Sequence, residues 1–285
     1  MPSSQKHSSK NRFYIKSDET IAEGLARVTQ QFLAGMQESL QSYPDAAQSI
    51  HQTRVAGKRL RAIAALLKKN LPKPAKQLNT EIRDIAHLLS LHRDEEVKLE
   101  VIHRLLKDAN ENQQHLLQQL AEYYQAGSID RQIIEKNVRL AHEKALALSE
   151  VINNWKFKSI DGAKIIRALN NEFGQVKAGY KENKNAADPV EMHTWRKHVK
   201  TCLYQTQILQ SHLKAKYRPR IDKLNKLGVL LGHYHDLVLI LEDIQEPVIS
   251  DWSEQEQHLL EEYVATIQAR LIKKVLRQGK NLCDS

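Results

Sequence analysis

The stretch His51-Gln52-Thr53-Arg54-Val55-Ala56-Gly57-Lys58 returns later in the chain as His193-Thr194-Trp195-Arg196-Lys197-His198-Val199-Lys200. One shift of 142 residues places the histidine, the arginine and the last lysine of the first stretch on those of the second. The same shift, without a gap, also aligns residues further along: Leu88 and Leu89 with Leu230 and Leu231, Asp94 with Asp236, Leu99 with Leu241, and Ile102 with Ile244. A constant offset that aligns both charged and apolar positions predicts an internal duplication, with the two copies packed about a pseudo-twofold axis.

Composition and periodicity predict helices around both stretches. The 285 residues are rich in Leu, Ala, Gln, Glu, Lys and Arg, which favour helices, and only 6% are aromatic. Apolar residues recur at helical spacing from Ile21 to Leu40, and no segment alternates convincingly between apolar and polar residues. We therefore predict an all-α protein, a helical bundle.

Turn and capping residues divide the chain into helices and repeats. After a first helix over residues 21–40, we predict helices over residues 46–69, 75–110, 111–126, 128–155, 161–180, 190–215, 221–245 and 253–279. The helices on either side of Gly127 are expected to form a long antiparallel pair, and Pro219 is expected to end a helix. We predict that residues 1–16 are a disordered tail, residues 17–155 the first repeat and residues 156–285 the second.

Cysteine content and hydropathy predict a cytoplasmic protein without a membrane anchor. Cys202 and Cys283 are too few for a disulfide framework, so reduced thiols are expected. The first residues contain no apolar core of a signal peptide. The most apolar run, residues 229–241, is interrupted by two histidines and an aspartate, and it is shorter than the roughly 20 residues of a membrane span.

Positive charge is concentrated around the two matching stretches. The net charge is +9, yet residues 46–80 contain no acid and carry +8, and residues 192–221 contain no acid and carry +7. The rest of the chain therefore carries −6. Such a distribution favours an acidic partner and indicates where it would bind.

The basic residues of each stretch share one helical face. The predicted faces consist of His51, Arg54, Lys58 and Arg61 in the first copy, and of His193, Arg196, Lys197 and Lys200, extended by Tyr204, in the second. Like charges one turn apart repel, and ordinary surface helices mix both signs. A solvated surface is the alternative, but the duplication without interleaved carboxylates favours an anion site. Arginine forks are suited to phosphate oxygens.

A second duplicated element follows each basic helix. Arg93-Asp94 in the first copy corresponds to His235-Asp236 in the second. We expect Arg93 and His235 to face the anion, and Asp94 and Asp236 to cap a helix or orient a neighbouring cation. Gly228 and Gly232, with the small residues Ala86 and Ser90 as counterparts, predict a close approach between helices. Arg83 lies near the same face and is a weaker candidate.

Together these motifs resemble the CHAD domain, the conserved histidine α-helical domain, from about Asp18 to Gly279. The resemblance implies two pseudo-twofold-related bundles, with long antiparallel helices around a central basic cavity that binds inorganic polyphosphate. It also implies an association with polyphosphate granules. The implied binding residues are His51, Arg54, Lys58, Arg59, Arg61, Arg83, Arg93, His193, Arg196, Lys197, Lys200 and His235, with Asp94, Asp236 and Tyr204 in supporting roles. Some members carry a triphosphate tunnel metalloenzyme domain, but its Glu-x-Glu-x-Lys motif is absent from this sequence.

Two other functions compete with polyphosphate binding. A metal-dependent phosphohydrolase of the HD type could use His193, His233, His235 and Asp236 as ligands. The residue that corresponds to His235 is Arg93, which cannot ligate a metal but can bind phosphate, so we predict no resident metal, no cofactor and no catalytic residue. Nucleic acid is the other alternative, and we expect only weak, nonspecific binding of it at low salt because stacking aromatics are few.

Overall fold

Ten α-helices and three short 3-10 helices make up the part of the chain that the structure describes. The computed structural model describes residues 13–41, 46–127, 130–246, 249 and 251–284, and of these the side chains of residues 46, 47, 91–95 and 216 are outside the description. The α-helices are α1 Ile21–Gln41, α2 Ala46–Leu67, α3 Pro72–Leu88, α4 Ser90–Leu105, α5 Glu111–Ala126, α6 Arg131–Asn153, α7 Gly162–Asn183, α8 Pro189–Leu209, α9 Arg218–Gln245 and α10 Glu254–Cys283. The described ranges contain no strand, which confirms the predicted all-α class.

Side-chain caps explain where several helices begin. The Asp188 carboxylate accepts hydrogen bonds from the first backbone N–H groups of α8, and Pro189 occupies the first turn, where its missing N–H costs nothing. Ser253 and Glu256 form a reciprocal capping box at α10. The prediction that Pro219 ends a helix was wrong, because this proline lies in the first turn of α9 and begins it.

Two groups of four helices surround the main core. In the first group, α2 packs between α1 and α3, and α6 closes the bundle against α1 and α3. In the second, α8 packs between α7 and α9, and α10 packs against α7 and α9. The two basic helices, α2 and α8, therefore occupy corresponding positions.

A direct contact between α2 and α8 joins the two groups. The Gln205 side-chain amide of α8 donates a 3.1 Å hydrogen bond to the Ala62 carbonyl of α2, and both groups are buried. Leu60 and Ile63 of α2 and Val199 of α8 belong to one continuous apolar cluster. This shared core places the basic faces of the two repeats beside one another.

A second, smaller core lies away from that contact. It is formed by α4, α5, the last turns of α9 and the first turns of α10, with Ile102, Leu117, Ile240 and Leu260 among its buried residues. In the second repeat, α9 and α10 each run unbroken from the main core into this cluster. In the first repeat, the corresponding segment is divided into α3 and α4 at Leu89.

The expected pairing of the helices on either side of Gly127 was wrong. α5 packs on α4 and α10, whereas α6 packs on α1 and α3. The reason is that their apolar faces enter different cores: Leu117 and Leu120 of α5 belong to the smaller one, and Ala141 and Leu148 of α6 belong to the main one.

The predicted disordered tail was wrong for residues 13–16, while residues 1–12 lie outside the described part. Ile15 is fully buried, and its N–H donates to the Ile208 carbonyl at 2.9 Å. Phe13 stacks on Phe32 of α1 with 5.1 Å between ring centroids. Burial of Ile15 and stacking of Phe13 stabilise the ordered path of this segment.

Trp195 is the largest fully buried side chain, and it requires glycine on the neighbouring helices. Its indole N–H donates to the Val176 carbonyl of α7 at 2.9 Å. A Cβ atom at Gly179 would lie 2.5 Å from the indole, and one at Gly279 of α10 would lie 2.7 Å from it. The tryptophan on the inner side of α8 therefore fixes how closely α7 and α10 approach.

We predict that Gly179→Ala destabilises the protein by about 1–3 kcal/mol, because the new methyl group overlaps the indole of Trp195. Gly174→Ala on the same helix is the matched control: no atom lies within 4 Å of its added Cβ. This control should stabilise the protein by about 0.5–1 kcal/mol, since alanine loses less backbone entropy in a helix. Urea unfolding monitored by circular dichroism measures both changes, and equal stabilities would contradict this packing.

Candidate functional site

The cations of α8 lie across a glycine-lined part of α9. A Cβ atom added at Gly228 would lie 3.2 Å from both Cε and Nζ of Lys200. One added at Gly232 would lie 4.0 Å from Nε of Arg196. The predicted close approach at this glycine pair is therefore present, and what approaches the α9 backbone is the cationic side chains of α8.

Arg196 and Lys200 are only partly exposed, and their charged forms are disfavoured there. Burial lowers the pKa of Arg196, and nearby Arg54 lowers it further, whereas Asp236 and Tyr204 oppose the shift. Burial and Arg196 together lower the pKa of Lys200. Nε of Arg196 is buried and has no hydrogen-bond partner among the described residues. An unsatisfied buried donor costs free energy, so this guanidinium is well suited to receive an anion.

Two histidines stand beside this arginine. The rings of His193 and His235 lie 4.5 Å apart, and Nδ1 of His193 is buried without a hydrogen-bond partner among the described residues. Burial lowers the pKa of His235 to about 4, with further contributions from Arg196, His193 and Lys197. Burial, Lys197 and Arg196 also lower the pKa of His193. Both imidazoles are therefore neutral at neutral pH, and the pKa of each would rise if the nearby positive charge were neutralised.

The corresponding residues of α2 line a recess against α3. Arg54 donates from Nη1 to the Ala86 carbonyl at 3.3 Å, and it lines a cavity of about 110 Å³ together with Lys58 and Arg61. Arg61 also donates from Nε to the Asn79 side chain at 3.1 Å. The structure thus brings together the three cations whose spacing predicted a common face. Arg54 of the first repeat lowers the pKa of Arg196 of the second, so the two cations lie close enough to repel each other. We refer to Arg54, Arg196, Lys200, His193 and His235 as the basic site.

The carboxylate after His235 bonds a residue that the sequence analysis did not single out. Asp236 accepts a 3.3 Å hydrogen bond from Arg104 of α4, which links the second repeat to the first. Arg104 was missed because its place depends on how α4 packs against α9 and not on any local motif. Arg93 and Asp94 lie in α4, but their side chains are outside the described residues.

Several predicted site residues lie at the edge of the basic site or away from it. Arg59 packs over the rings of Phe32 and Tyr204, with its central carbon 5.3 Å and 5.9 Å from their centroids, because five residues after Arg54 it points to another face of α2. Tyr204 thus supports Arg59 as well as acting on Arg196. His51 is exposed and lines a groove between α1 and α2.

Two further candidates are exposed side chains with different surroundings. Arg83 stands 3.9 Å from Asp84 with 69% of its side chain exposed, so the structure does not bring it to the basic site. Lys197 is exposed but lies close enough to His193 and His235 to lower the pKa of each. It therefore belongs to the rim of the basic site.

Of the four residues in the metal-hydrolase alternative, His193 and His235 lie side by side, whereas His233 and Asp236 have other surroundings. Within the described residues, no group of three or more His, Cys, Asp or Glu side chains is arranged to hold a metal ion. His233 is exposed and lines a different groove, and Asp236 is engaged with Arg104. Cys202 is a free thiol whose pKa is raised to about 12, chiefly by burial, so it is not a nucleophile at neutral pH. Chemically, the arrangement is one of hydrogen-bond donors and cations.

Comparison with known proteins agrees with this arrangement of helices. The family model for the CHAD domain matches residues 23–244. The chain belongs to the CHAD domain family. The crystal structure of the CHAD domain from the plant Ricinus communis is similar in fold, with a TM-score of 0.71 and 16% sequence identity over 94% of each chain. No curated protein matches the sequence significantly. Among the helices described for this CHAD protein, none combines the length and apolar character needed to cross a bilayer.

The lowered pKa of His235 predicts a loss of stability in acid. Below about pH 6.5 the unfolded chain binds a proton at this position, whereas the folded state resists protonation until about pH 4. As the pH decreases from 7 to 4.5, the free energy of unfolding of the wild type should therefore decrease, relative to that of His235→Asn, by on the order of 1 kcal/mol.

His198 provides a control, because its effect on stability changes with pH in the opposite direction to that of His235. It is paired with Glu172 at 2.7 Å, which raises its pKa, so this pair stabilises the fold below the unfolded pKa and loses its effect as the pH rises. Urea unfolding at both pH values compares the wild type with His235→Asn and His198→Gln. A difference between wild type and His235→Asn that does not change with pH would contradict the burial of this imidazole.

Proposed function

We propose that this CHAD protein binds inorganic polyphosphate at the basic site and does not hydrolyse it. One observation carries the proposal: Arg196 is largely buried, its Nε lacks a partner among the described residues, and further cations from both repeats surround it. Bringing like charges together is unfavourable without a counter-charge. A bound anion provides that counter-charge and satisfies the unpaired donors at the same time.

The spread of the cations favours a chain of phosphates over a single one. Arg54 reaches the site from α2, whereas Arg196 and Lys200 reach it from α8, and Lys58 and Arg61 continue the positive surface in the adjoining recess. A linear polyanion can contact cations on both helices at once. Arginine suits such a ligand because its planar fork donates two parallel hydrogen bonds to phosphate oxygens.

The same surroundings support binding without turnover. A divalent metal ion would have to enter a field created by Arg196, Lys197 and Lys200, which repels it. His193 and His235 could serve as proton carriers, but no activated nucleophile accompanies them among the described residues. We therefore infer a binding protein and not a phosphohydrolase.

The aromatic side chains near the site favour polyphosphate over nucleic acid. Trp195 is 1% exposed and is committed to the core of its bundle, and Tyr204 packs against Arg59. Neither ring is free to stack on a base, and base stacking is a main contribution to single-strand binding. The remaining attraction to nucleic acid is its backbone charge, which depends strongly on salt.

We predict that Arg54→Ala/Arg196→Ala lowers the affinity for long-chain polyphosphate by roughly 100-fold at near-physiological salt, since two charge-assisted contacts are lost. The matched control is Arg83→Ala/Arg131→Ala, which removes the same charge from two exposed positions and should change affinity little. Titration calorimetry measures both. The binding variant should unfold at an equal or higher temperature, because it no longer buries Arg196 without a partner.

Three results would contradict the proposal. Equal affinities of the wild type and the Arg54→Ala/Arg196→Ala variant would exclude the basic site. Tighter binding of RNA of equal charge would exclude the ligand. Release of orthophosphate on addition of Mg²⁺ or Mn²⁺ would exclude the non-catalytic function.

We also infer that polyphosphate binding places the protein on polyphosphate granules in the cytoplasm, as the family resemblance implies. A fluorescent fusion of the wild type should colocalise with granules, and Arg54→Ala/Arg196→Ala should be diffuse while Arg83→Ala/Arg131→Ala is retained. Microscopy of cells that accumulate polyphosphate makes the comparison. Granule association by the binding variant would show that a protein partner, and not the basic site, directs localisation.

A further inference from the structure

A third acid-free basic segment lies in α10. Residues 263–283 contain no aspartate or glutamate and carry five cations, namely Arg270, Lys273, Lys274, Arg277 and Lys280. In the first repeat the helix in the corresponding packing position is α6, and its 23 residues mix four cations, Arg and Lys, with three glutamates. This concentration of charge is therefore a property of the second repeat alone.

Part of this segment borders a groove between α4, α9 and α10. The groove has a volume of about 570 Å³, and its cationic edge consists of Arg104, Arg270 and Lys274, with His233 beside them. Arg270 and Lys274 are one helical turn apart, so their side chains share a face. Apolar residues such as Leu105 and Leu237 form the floor. A low-dielectric floor of this kind concentrates the field of the cations above it.

The groove, which we call the α10 groove, adjoins the basic site. His233 lines the groove, and its pKa is lowered chiefly by burial and further by Arg104 and Lys200, against the effect of Asp236. His233 is therefore close to a cation of the groove and to one of the basic site. Arg104 also bonds Asp236, the residue next to His235. At the other end, Asp108 and Tyr263 line the groove, and Asp108 contributes to the raised pKa of this tyrosine after the larger effect of burial. The positive edge is thus nearest the basic site, and Asp108, the one acid that lines the groove, lies near Tyr263.

We propose that the α10 groove is a second phosphate-binding segment, which holds the part of a polyphosphate chain that extends beyond the basic site. The inference rests on the proposed function and adds to it a chain-length preference and a direction. A short polyphosphate chain makes all of its contacts within the basic site. A longer chain also contacts Arg270 and Lys274, and each neutralised phosphate adds to affinity through the counterions that it releases.

The direction follows from the difference between the repeats. In the first repeat, α6 packs on α1 and α3 as α10 packs on α7 and α9 in the second, and it mixes Glu135, Glu143 and Glu150 with its cations. The position that corresponds to Arg104 in the second repeat is Glu246. The first repeat therefore has no equivalent of this cationic edge in its sequence. A bound chain leaves the basic site on the α10 side.

The test compares two double variants of α10 with equal loss of charge. Arg270→Gln/Lys274→Gln alters the groove, and Lys273→Gln/Arg277→Gln alters two exposed cations of the same helix that do not line it. Calorimetric titrations with tripolyphosphate and with polyphosphate fractions of increasing length, at several salt concentrations, measure affinity. Circular dichroism melting verifies that both variants fold.

The groove variant should bind long chains roughly tenfold more weakly than the wild type and should bind tripolyphosphate unchanged. The slope of log affinity against log salt for long chains should fall by about 1.4, the value expected when two contacts to a single strand are lost. The control variant should show neither change. An equal loss in both variants, or an equal loss for short and long chains, would overturn the α10 groove. Failure of the wild type to bind any polyphosphate would instead overturn the proposed function.

Discussion

Placing Arg196 and Lys200 between helices, close to Arg54, costs free energy, because each charge loses hydration and repels the others. The lowered pKa values of Arg196 and Lys200 express this cost. The apolar cluster that runs without interruption through α2 and α8 offsets it. Cations that would separate in an isolated helix pair are held together because the side chains on the opposite faces of the same helices are fully buried. The clustering of cations in the basic site is thus a consequence of where the core joins the repeats.

The two repeats use the same motif in different surroundings. Lys200 lies against the backbone of α9 at Gly228, where the missing Cβ leaves space for it. In the first repeat the corresponding residue is Ala86, which lines the same recess as Lys58, and Lys58 is exposed. The second repeat consequently holds its cations more deeply, and the first presents its own in a shallow recess.

The sequence predicted those features that depend on short-range spacing. The face shared by Arg54, Lys58 and Arg61 and the close approach at Gly228 follow from helical geometry, and both are present. Arg59 was misplaced for a related reason: it belonged to the quoted motif, but five residues after Arg54 it turns toward Phe32 and Tyr204.

Features set by packing between distant segments could not be predicted from spacing. Arg104 reaches Asp236 only because α4 packs on α9. The helices α5 and α6 do not pair with each other because their apolar faces enter different cores. Phe13 and Ile15 were visible as apolar residues after a polar stretch, but the surface that receives them, on α1 and α8, is formed only in the folded chain.

The adjacent rings of His193 and His235 give the basic site a property beyond affinity. In the free protein, burial and the neighbouring cations keep both imidazoles unprotonated at neutral pH. An anion seated on Arg196 cancels part of that positive potential, so the pKa of each ring rises and protons are taken up from solution. Linkage is reciprocal, and the same ligand must then bind more tightly as the surroundings acidify. Under the proposed function, binding of the polyanion would therefore take up protons, and a rise in pH would favour its release.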